Sequence, residues 1–279
     1  MSDLVDVEVD GHRVRVLIDG NTGPVVVLCS GLGGRALHWG DTVRYLADDH
    51  TLVRFDRPGT PVTDDRVHAP TVRGEADRIA AVLDAAGQPD RVVLVGHSVG
   101  GYYAEAFARL YPHRTRALLL LDSSIAPDRQ WLALPLRTKL AITNAAASLL
   151  NKLHLQTPLG RAGLTLVQRL RPGGLDAQMR SEIRRAATEP GFIDALLAEY
   201  VAYHNLADEL CALRHHHPLP PVRRVVATAH TGWRTRGWRN QQIRLAKNIG
   251  AEQITVAPAG HLVMIEQPRR AADLIRAVA

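Results

Sequence analysis

Five consecutive residues, Gly96-His97-Ser98-Val99-Gly100, constrain this chain more than any other segment. An apolar run over 91–95 precedes them and a helix-like stretch over 101–111 follows. In that setting a serine between small residues takes the apex of a sharp turn from strand to helix. The positions two before and two after it must be small, because the strand and helix backbones approach closely there. The hydroxyl is then pushed out of the sheet, and N–H groups at the start of the helix point at the same spot. Ser98 therefore reads as a nucleophile, against the competing reading of an ordinary Gly-rich turn in a parallel sheet.

The rest of the chain supplies such a sheet. Alternating runs at 4–9 and 13–18, joined by Asp10-Gly11, predict a hairpin. From residue 25 the pattern changes to continuous apolar runs, at 25–29, 52–55, 91–95, 117–121, 225–228 and 253–256. Such runs suit strands buried on both faces of a parallel sheet. Helical patterns at 36–47, 71–86, 102–110, 241–249 and 268–278 lie between or after them. The fold class is α/β: a mostly parallel, doubly wound eight-stranded sheet flanked by helices, with an antiparallel N-terminal edge. Residues 125–221 hold no convincing strand. Helical stretches at 136–155, 159–170, 175–187 and 192–213 are separated by Pro158, Pro172-Gly173-Gly174 and Pro190-Gly191. This predicts a helical insertion, 125–221, into a core made of 1–124 and 222–279.

Composition excludes more than it selects. The net charge is +6 and the pI about 9.7, yet the arginines are spread along the chain without a basic run interleaved with aromatics, so no nucleic-acid partner is expected. No apolar stretch is long and uncharged enough for integral membrane association. The stretch 132–155, apolar with Arg137, Lys139 and Lys152 on it, either packs on the core, lines a greasy pocket or rests on a membrane surface. Cys29 and Cys211 read as free thiols, and the acidic N-terminus has no apolar signal region, so a cytoplasmic location is expected. His215-His216-His217 reads as a solvated hinge, since adjacent histidines cannot all face one ion. Neither metal nor cofactor is expected, and the chain is expected to be a monomer or homodimer.

A serine nucleophile needs a base, and the base needs an orienting acid. Of 13 histidines, His261 stands out: it follows Gly260 in the loop after the last strand, and Glu266 and Pro268 begin the terminal helix. Loops after the C-terminal ends of parallel strands share one edge, so His261 can meet Ser98.

With these pieces assembled, the chain resembles the α/β-hydrolase superfamily. The resemblance rests on Ser30-Gly31-Leu32-Gly33-Gly34 after a strand, Phe55-Asp56-Arg57-Pro58-Gly59, Gly96-His97-Ser98-Val99-Gly100-Gly101, and Gly260-His261 with Glu266 and Pro268. It implies that 125–221 is a cap over the active site. It also implies an oxyanion hole made by the backbone N–H groups of Leu32 and Val99, with Ser30 in place of a common histidine, and a structural role for Asp56-Arg57-Pro58-Gly59 in bracing the neighbouring loop. The chain departs from the family in its acid. The loop after the penultimate strand, 226–238, has no Asp or Glu. Asp122 at the end of the run 118–121 is the natural substitute, as in a minority of related enzymes, although an Asp there also often caps or braces loops. Gly31, His97, Trp131 and Leu136 are the tentative pocket residues; His230, Trp233, Trp238, Tyr102 and Tyr103 line the pocket or belong to the core.

Three functions follow. The first is a serine hydrolase cleaving an ester or related acyl bond of a hydrophobic small molecule through Ser98, His261 and Asp122. A serine nucleophile argues against the dehalogenase and epoxide hydrolase branches, which use an Asp there. The second is carbon–carbon bond hydrolysis or cofactor-free dioxygenation on the same fold, to which the position of the acid is a mild pointer. The third is a low-turnover ligand-binding homologue, favoured if Asp122 lies beyond reach of His261.

Overall fold

The computed structural model describes residues 3–9, 12–57, 69–88, 91–125, 134–189 and 191–279. Eight strands form one sheet: β1 (Asp3–Val9), β2 (His12–Asp19), β3 (Val25–Cys29), β4 (Thr51–Phe55), β5 (Val92–His97), β6 (Thr115–Leu121), β7 (Arg223–Ala229) and β8 (Glu252–Val256). Their spatial order is β1-β2-β4-β3-β5-β6-β7-β8. The β1/β2 and β2/β4 pairs are antiparallel and every later pair is parallel. The residues expected to turn the first hairpin, Asp10-Gly11, lie outside the described residues, as do Pro58-Gly59 and Pro190.

The continuous apolar runs are explained by burial on both sides. In β3, Val27 and Cys29 face one core, while Val26 and Leu28 face the other. The same alternation sends Leu94, Leu118, Leu120 and Val226 to the first side and Val95, Leu119, Leu121 and Ala227 to the second. The first side is covered by α2 (Val72–Ala85), α3 (Gly100–Leu110) and α8 (Arg236–Asn248). The second is covered by α1 (Gly40–Arg44), α9 (Val263–Glu266) and α10 (Pro268–Val278). Between β6 and β7 run α4 (Leu136–Lys152), α5 (Gln156–Gln168), α6 (Ala177–Ala187) and α7 (Phe192–His216). These four helices have a small core of their own, built on Leu164, Met179, Ile183 and Phe192 and joined by Leu37 of the sheet domain.

Several helix boundaries differ from the sequence reading, α4 for one ending at Lys152 rather than 155. The single helix expected over 36–47 is split into a 3-10 turn, Ala36–Trp39, and the short α1; Asp56 Oδ1 accepts the Ala36 N–H at 2.7 Å and fixes that tight first turn. Helix α5 starts at Gln156 rather than 159. Helix α7 continues through His215 and His216, so these two histidines close a helix rather than form a free hinge. Helix α8 starts at Arg236, five residues before the apolar periodicity becomes visible. Its first turns are held by tertiary bonds, from Trp238 Nε1 to Asp122 Oδ1 and from buried Gln242 to the Ser123 carbonyl. Both cysteines are free, Cys29 buried in β3 and Cys211 exposed on α7.

Candidate active site

Strand β3 sits where the connections diverge: the chain passes from β3 to β4 on one side and returns to β5 on the other. In open α/β sheets this switch point opens a crevice at the C-terminal ends of the strands. Cys29 of β3 pairs with Gly96 of β5, so the loop after β3 and Ser98 leave the sheet side by side. Ser98 adopts φ +53°, a left-handed conformation that costs a non-glycine residue about 1–3 kcal/mol. The small neighbours are obligatory. A Cβ on Gly96 would lie 2.5 Å from the Gly100 carbonyl oxygen, and one on Gly100 would lie 2.4 Å from the Cys29 carbonyl oxygen. The turn is closed by the Ser98 carbonyl, which accepts the N–H groups of Gly101 and Ser124, both at 2.9 Å.

His261 and Asp122 meet at the same edge. Leu121 pairs with His97 on one side and Ala227 on the other, so Asp122 emerges between Ser98 and the loop after β7. Its φ is +43°. His261 Nδ1 lies 2.6 Å from Asp122 Oδ2. The other carboxylate oxygen, Oδ1, accepts the Ala229 N–H at 3.0 Å and the Trp238 indole N–H at 2.8 Å. Three donors thus converge on a buried carboxylate and fix its plane. The condition that would have favoured a ligand-binding homologue, Asp122 out of reach of His261, is not met. The loop carrying His261 is braced by Glu266, which accepts the N–H groups of Gly260 at 2.9 Å and Leu262 at 3.3 Å. The His261 side chain is 51% exposed, and its ring lies 4.7 Å, centroid to centroid, from that of His97.

His97 itself is buried, and its Nε2 donates to the His261 carbonyl at 2.8 Å. Burial, then the neighbouring His261, holds its pKa well below the usual histidine value. His97 is therefore a neutral brace beneath His261. Among the described residues the Ser98 hydroxyl has no hydrogen-bond partner.

The loop 30–34 completes the crevice. Gly31 packs against Ser98, where an added Cβ would come within 2.9 Å of the Ser98 Cβ. The Ser30 hydroxyl accepts the Trp39 indole N–H at 3.0 Å and donates to the Arg35 carbonyl at 3.2 Å, so this serine braces the loop from behind. Arg57 donates to the Ser30 carbonyl at 2.7 Å and the Gly31 carbonyl at 2.5 Å. Among the described residues, neither the Leu32 nor the Val99 N–H donates to a protein acceptor. Val99 immediately precedes α3, where the helix dipole is positive.

Glu199 of α7 is a residue the sequence reading missed. Its buried carboxylate accepts the Gly33 N–H at 2.9 Å, the Arg57 Nε–H at 2.7 Å and the Tyr103 hydroxyl at 3.1 Å. Burial opposes the Arg57 charge, but the Glu199 carboxylate overrides it and raises the arginine pKa, so the guanidinium stays charged. Burial and the same carboxylate raise the Tyr103 pKa, which keeps its phenol a donor. The signal was available in the spacing: Glu199 falls on the face of α7 that buries Ala202, Leu206, Leu210 and Leu213, and a buried acid demands partners.

Leu136 is half-buried and packs against the core on the α2/α3 side of the sheet. Trp131 lies outside the described residues. Leu32 reaches into a cavity of about 400 Å³ with Leu134 just before α4, Lys139, Ile142 and Thr143 of α4 and Tyr203 of α7. The described residues hold no cluster of three His, Cys, Asp or Glu suited to a metal ion. No helix among them is long and apolar enough to cross a membrane.

Residues 26–274 match the alpha/beta hydrolase family. Among curated relatives, pyrrolizixenacetamide deacetylase of Xenorhabdus hominickii is 37% identical over 124 residues, 43% of this chain and 45% of the relative. The 1-acylglycerol-3-phosphate O-acyltransferase ABHD5 of Rattus norvegicus is 31% identical over 157 residues, 53% of this chain and 44% of the relative. The matched region thus spans less than half the length of these curated relatives. Among solved structures, wild-type Cfl2 from Burkholderia cenocepacia aligns over 99% of this chain and 94% of its own, with a TM-score of 0.73 and 22% identity; that likeness speaks for the fold.

Proposed function

The chain belongs to the alpha/beta hydrolase family, and from that premise we propose that it is a serine hydrolase acting on a carboxylic ester or related acyl bond of a hydrophobic small molecule. One observation carries this reading: His261 Nδ1 lies 2.6 Å from Asp122 Oδ2 at the sheet edge where Ser98 sits in a left-handed turn.

Ser98 Oγ attacks the substrate carbonyl carbon as His261 Nε2 takes its proton. Asp122 holds the imidazole in the Nδ1–H tautomer and stabilises the imidazolium that forms. The oxyanion takes up the free N–H groups of Leu32 and Val99, each worth about 3 kcal/mol of transition-state stabilisation. Collapse expels the leaving alcohol or amine, which takes the proton from His261. Water, deprotonated by His261, then cleaves the acyl-enzyme and restores Ser98. The inserted helices act as the cap, and the cavity beside Leu32 suits an apolar acyl or aromatic group. The deacetylase relative supports acyl-bond cleavage as the reaction class.

The test is covalent labelling with a fluorophosphonate probe. Wild type is expected to label, Ser98→Ala to lose labelling completely, and His261→Ala and Asp122→Asn to label far more slowly. A folded wild type that does not label overturns the reading. One observation favours a second chemistry: the Ser98 hydroxyl makes no bond to His261, while the His261–Asp122 pair is fully formed. That pair alone could deprotonate a substrate for cofactor-free dioxygenation. Oxygen-dependent turnover surviving Ser98→Ala would select it.

A further inference from the structure

Two of the inserted helices carry matching apolar stripes that face solvent. On α4 and just past its end the stripe is Ile142, Ala145, Ala146, Leu149 and Leu153; on α5 and just past its end it is Leu159, Ala162, Gly163, Leu166 and Leu170. Both follow the same i, i+3, i+4, i+7, i+11 spacing, so each lies on one side of its helix. Leu149 is 56% exposed and Leu166 67%. The stripes follow one another along the chain through Leu153 and Leu155, both exposed. A helix hides its apolar side in a monomer's core; these two helices bury the opposite side, through Thr143 and Ala147 on α4 and through Gly160, Leu164 and Gln168 on α5. Large exposed apolar patches mark interaction sites.

Charge identifies the partner. Residues 134–175 contain six Lys or Arg and no Asp or Glu. Arg171 is paired with Asp41 and Asp176; among the described residues the other cations, Arg137, Lys139, Lys152, Arg161 and Arg169, have no carboxylate partner. At about 100° per residue, Lys139 and Lys152 stand roughly 60–80° to either side of the α4 stripe, and Arg169 flanks the α5 stripe in the same way. Long cationic side chains in that position extend from an apolar face to phosphate headgroups. A second copy of the chain would bring the same unpaired cations face to face, which argues against self-association.

We infer that the outer face of α4 and α5 docks on an anionic lipid surface. The mouth of the apolar cavity adjoins it, since Ile142 belongs both to the stripe and to the cavity lining. Docking would thus deliver a lipid-dissolved substrate to the cavity beside Leu32. Only this last step rests on the proposed function; the docking itself does not.

The experiment is co-sedimentation of the full chain, and of Ser98→Ala, with phosphatidylcholine vesicles and with mixed phosphatidylcholine–phosphatidylglycerol vesicles. Both proteins are expected to bind the anionic vesicles at least about tenfold more tightly than the zwitterionic ones, and to be released by salt. Lys152→Ala is expected to weaken binding about fivefold, and Leu149→Glu with Leu166→Glu to abolish it. The double variant should keep the wild-type melting curve and its rate on a water-soluble ester without vesicles. Equal or absent binding to the two vesicle types overturns the inference, as does wild-type binding by the folded double variant. So does a concentration-dependent dimer in sedimentation velocity that the double variant lacks. Vesicle binding without fluorophosphonate labelling would sink the proposed hydrolysis and leave the docking intact.

Discussion

Two of the three residues proposed to carry the reaction, Ser98 and Asp122, have positive φ. Neither side chain gains locally from that conformation; each is held there because a strand ends and the chain must turn away at once. The strain predicts a trade between stability and activity at Ser98. Replacing it with glycine relieves about 1–3 kcal/mol of left-handed strain and gives back about 0.5–1 kcal/mol in unfolded-chain entropy. Ser98→Gly should therefore be more stable than wild type by about 1 kcal/mol in urea denaturation, while losing all labelling by a serine-directed probe. A destabilised Ser98→Gly would show that the turn is unstrained. Asp122→Asn tests the other residue. The carboxylate is replaced by an amide that can no longer stabilise an imidazolium, and three donors point at its position. A fall in kcat of about 10³–10⁴-fold is expected with little change in KM; a fall of less than tenfold would mean that Asp122 serves only to brace the loops after β6 and β7.

The elements around these residues are coupled through Glu199, which joins α7 to the Gly33 N–H, to Arg57 and, through Arg57, to the Ser30 and Gly31 carbonyls. Removing one partner of a buried ion pair leaves the other charge uncompensated, at a cost of about 3–5 kcal/mol. Glu199→Ala is expected to lose that much stability in urea denaturation. It should also lower kcat more than it raises KM, because the loop bearing the Leu32 N–H loses its support. Glu199→Gln, whose single amide oxygen still accepts from Gly33 while its amide NH2 donates to the Tyr103 hydroxyl, should recover part of both. If kcat holds while stability falls, the clamp is only structural. This pairing also shows where the sequence was legible and where it was not. Strands β3, β5 and β6 could be read because burial on both faces writes an unbroken apolar run. The turn at Ser98 could be read because the close approaches at Gly96 and Gly100 admit no side chain. The start of α8 could not, because Arg236-Gly237-Trp238 has weak helical preference and is held by Asp122 and Ser123 from a distant strand. Glu199 was hidden for the same reason: its partners lie 96 to 166 residues away, and only its place on a buried helical face marked it.

At the scale of the whole molecule, the buried histidines set how the fold responds to acid. Burial, with Asp56 opposing and the nearby Arg35 and Arg57 cations assisting, lowers the pKa of His38 from about 6.5 to about 4. His97 is shifted in the same direction, chiefly by burial. Both are neutral in the native protein: His38 Nδ1 faces the Arg35 N–H at 3.4 Å, and His97 Nε2 must keep its proton to bond the His261 carbonyl. In the unfolded chain the same rings take up a proton near pH 6.5. Between pH 6.5 and about 4 the unfolded state therefore binds protons that the folded state refuses, so stability falls as pH falls, by up to about 1.4 kcal/mol per unit for His38. Above pH 6.5 its contribution is complete. Asp49, lowered to about 2 by Arg276 and then His50, acts only below that window. Glu75 and Asp194, whose carboxyls burial pushes up, act in the opposite sense within it. The histidine contribution is thus read as a difference between proteins rather than from the wild type alone. His38→Gln keeps an acceptor near Arg35 but cannot titrate. Its stability relative to wild type should rise by about 2 kcal/mol between pH 7 and pH 5 in paired urea denaturation curves. A gap that stays constant over that range would mean that His38 takes up its proton in the folded state as readily as in the unfolded one, and that the crevice behind the loop 30–34 admits a charge.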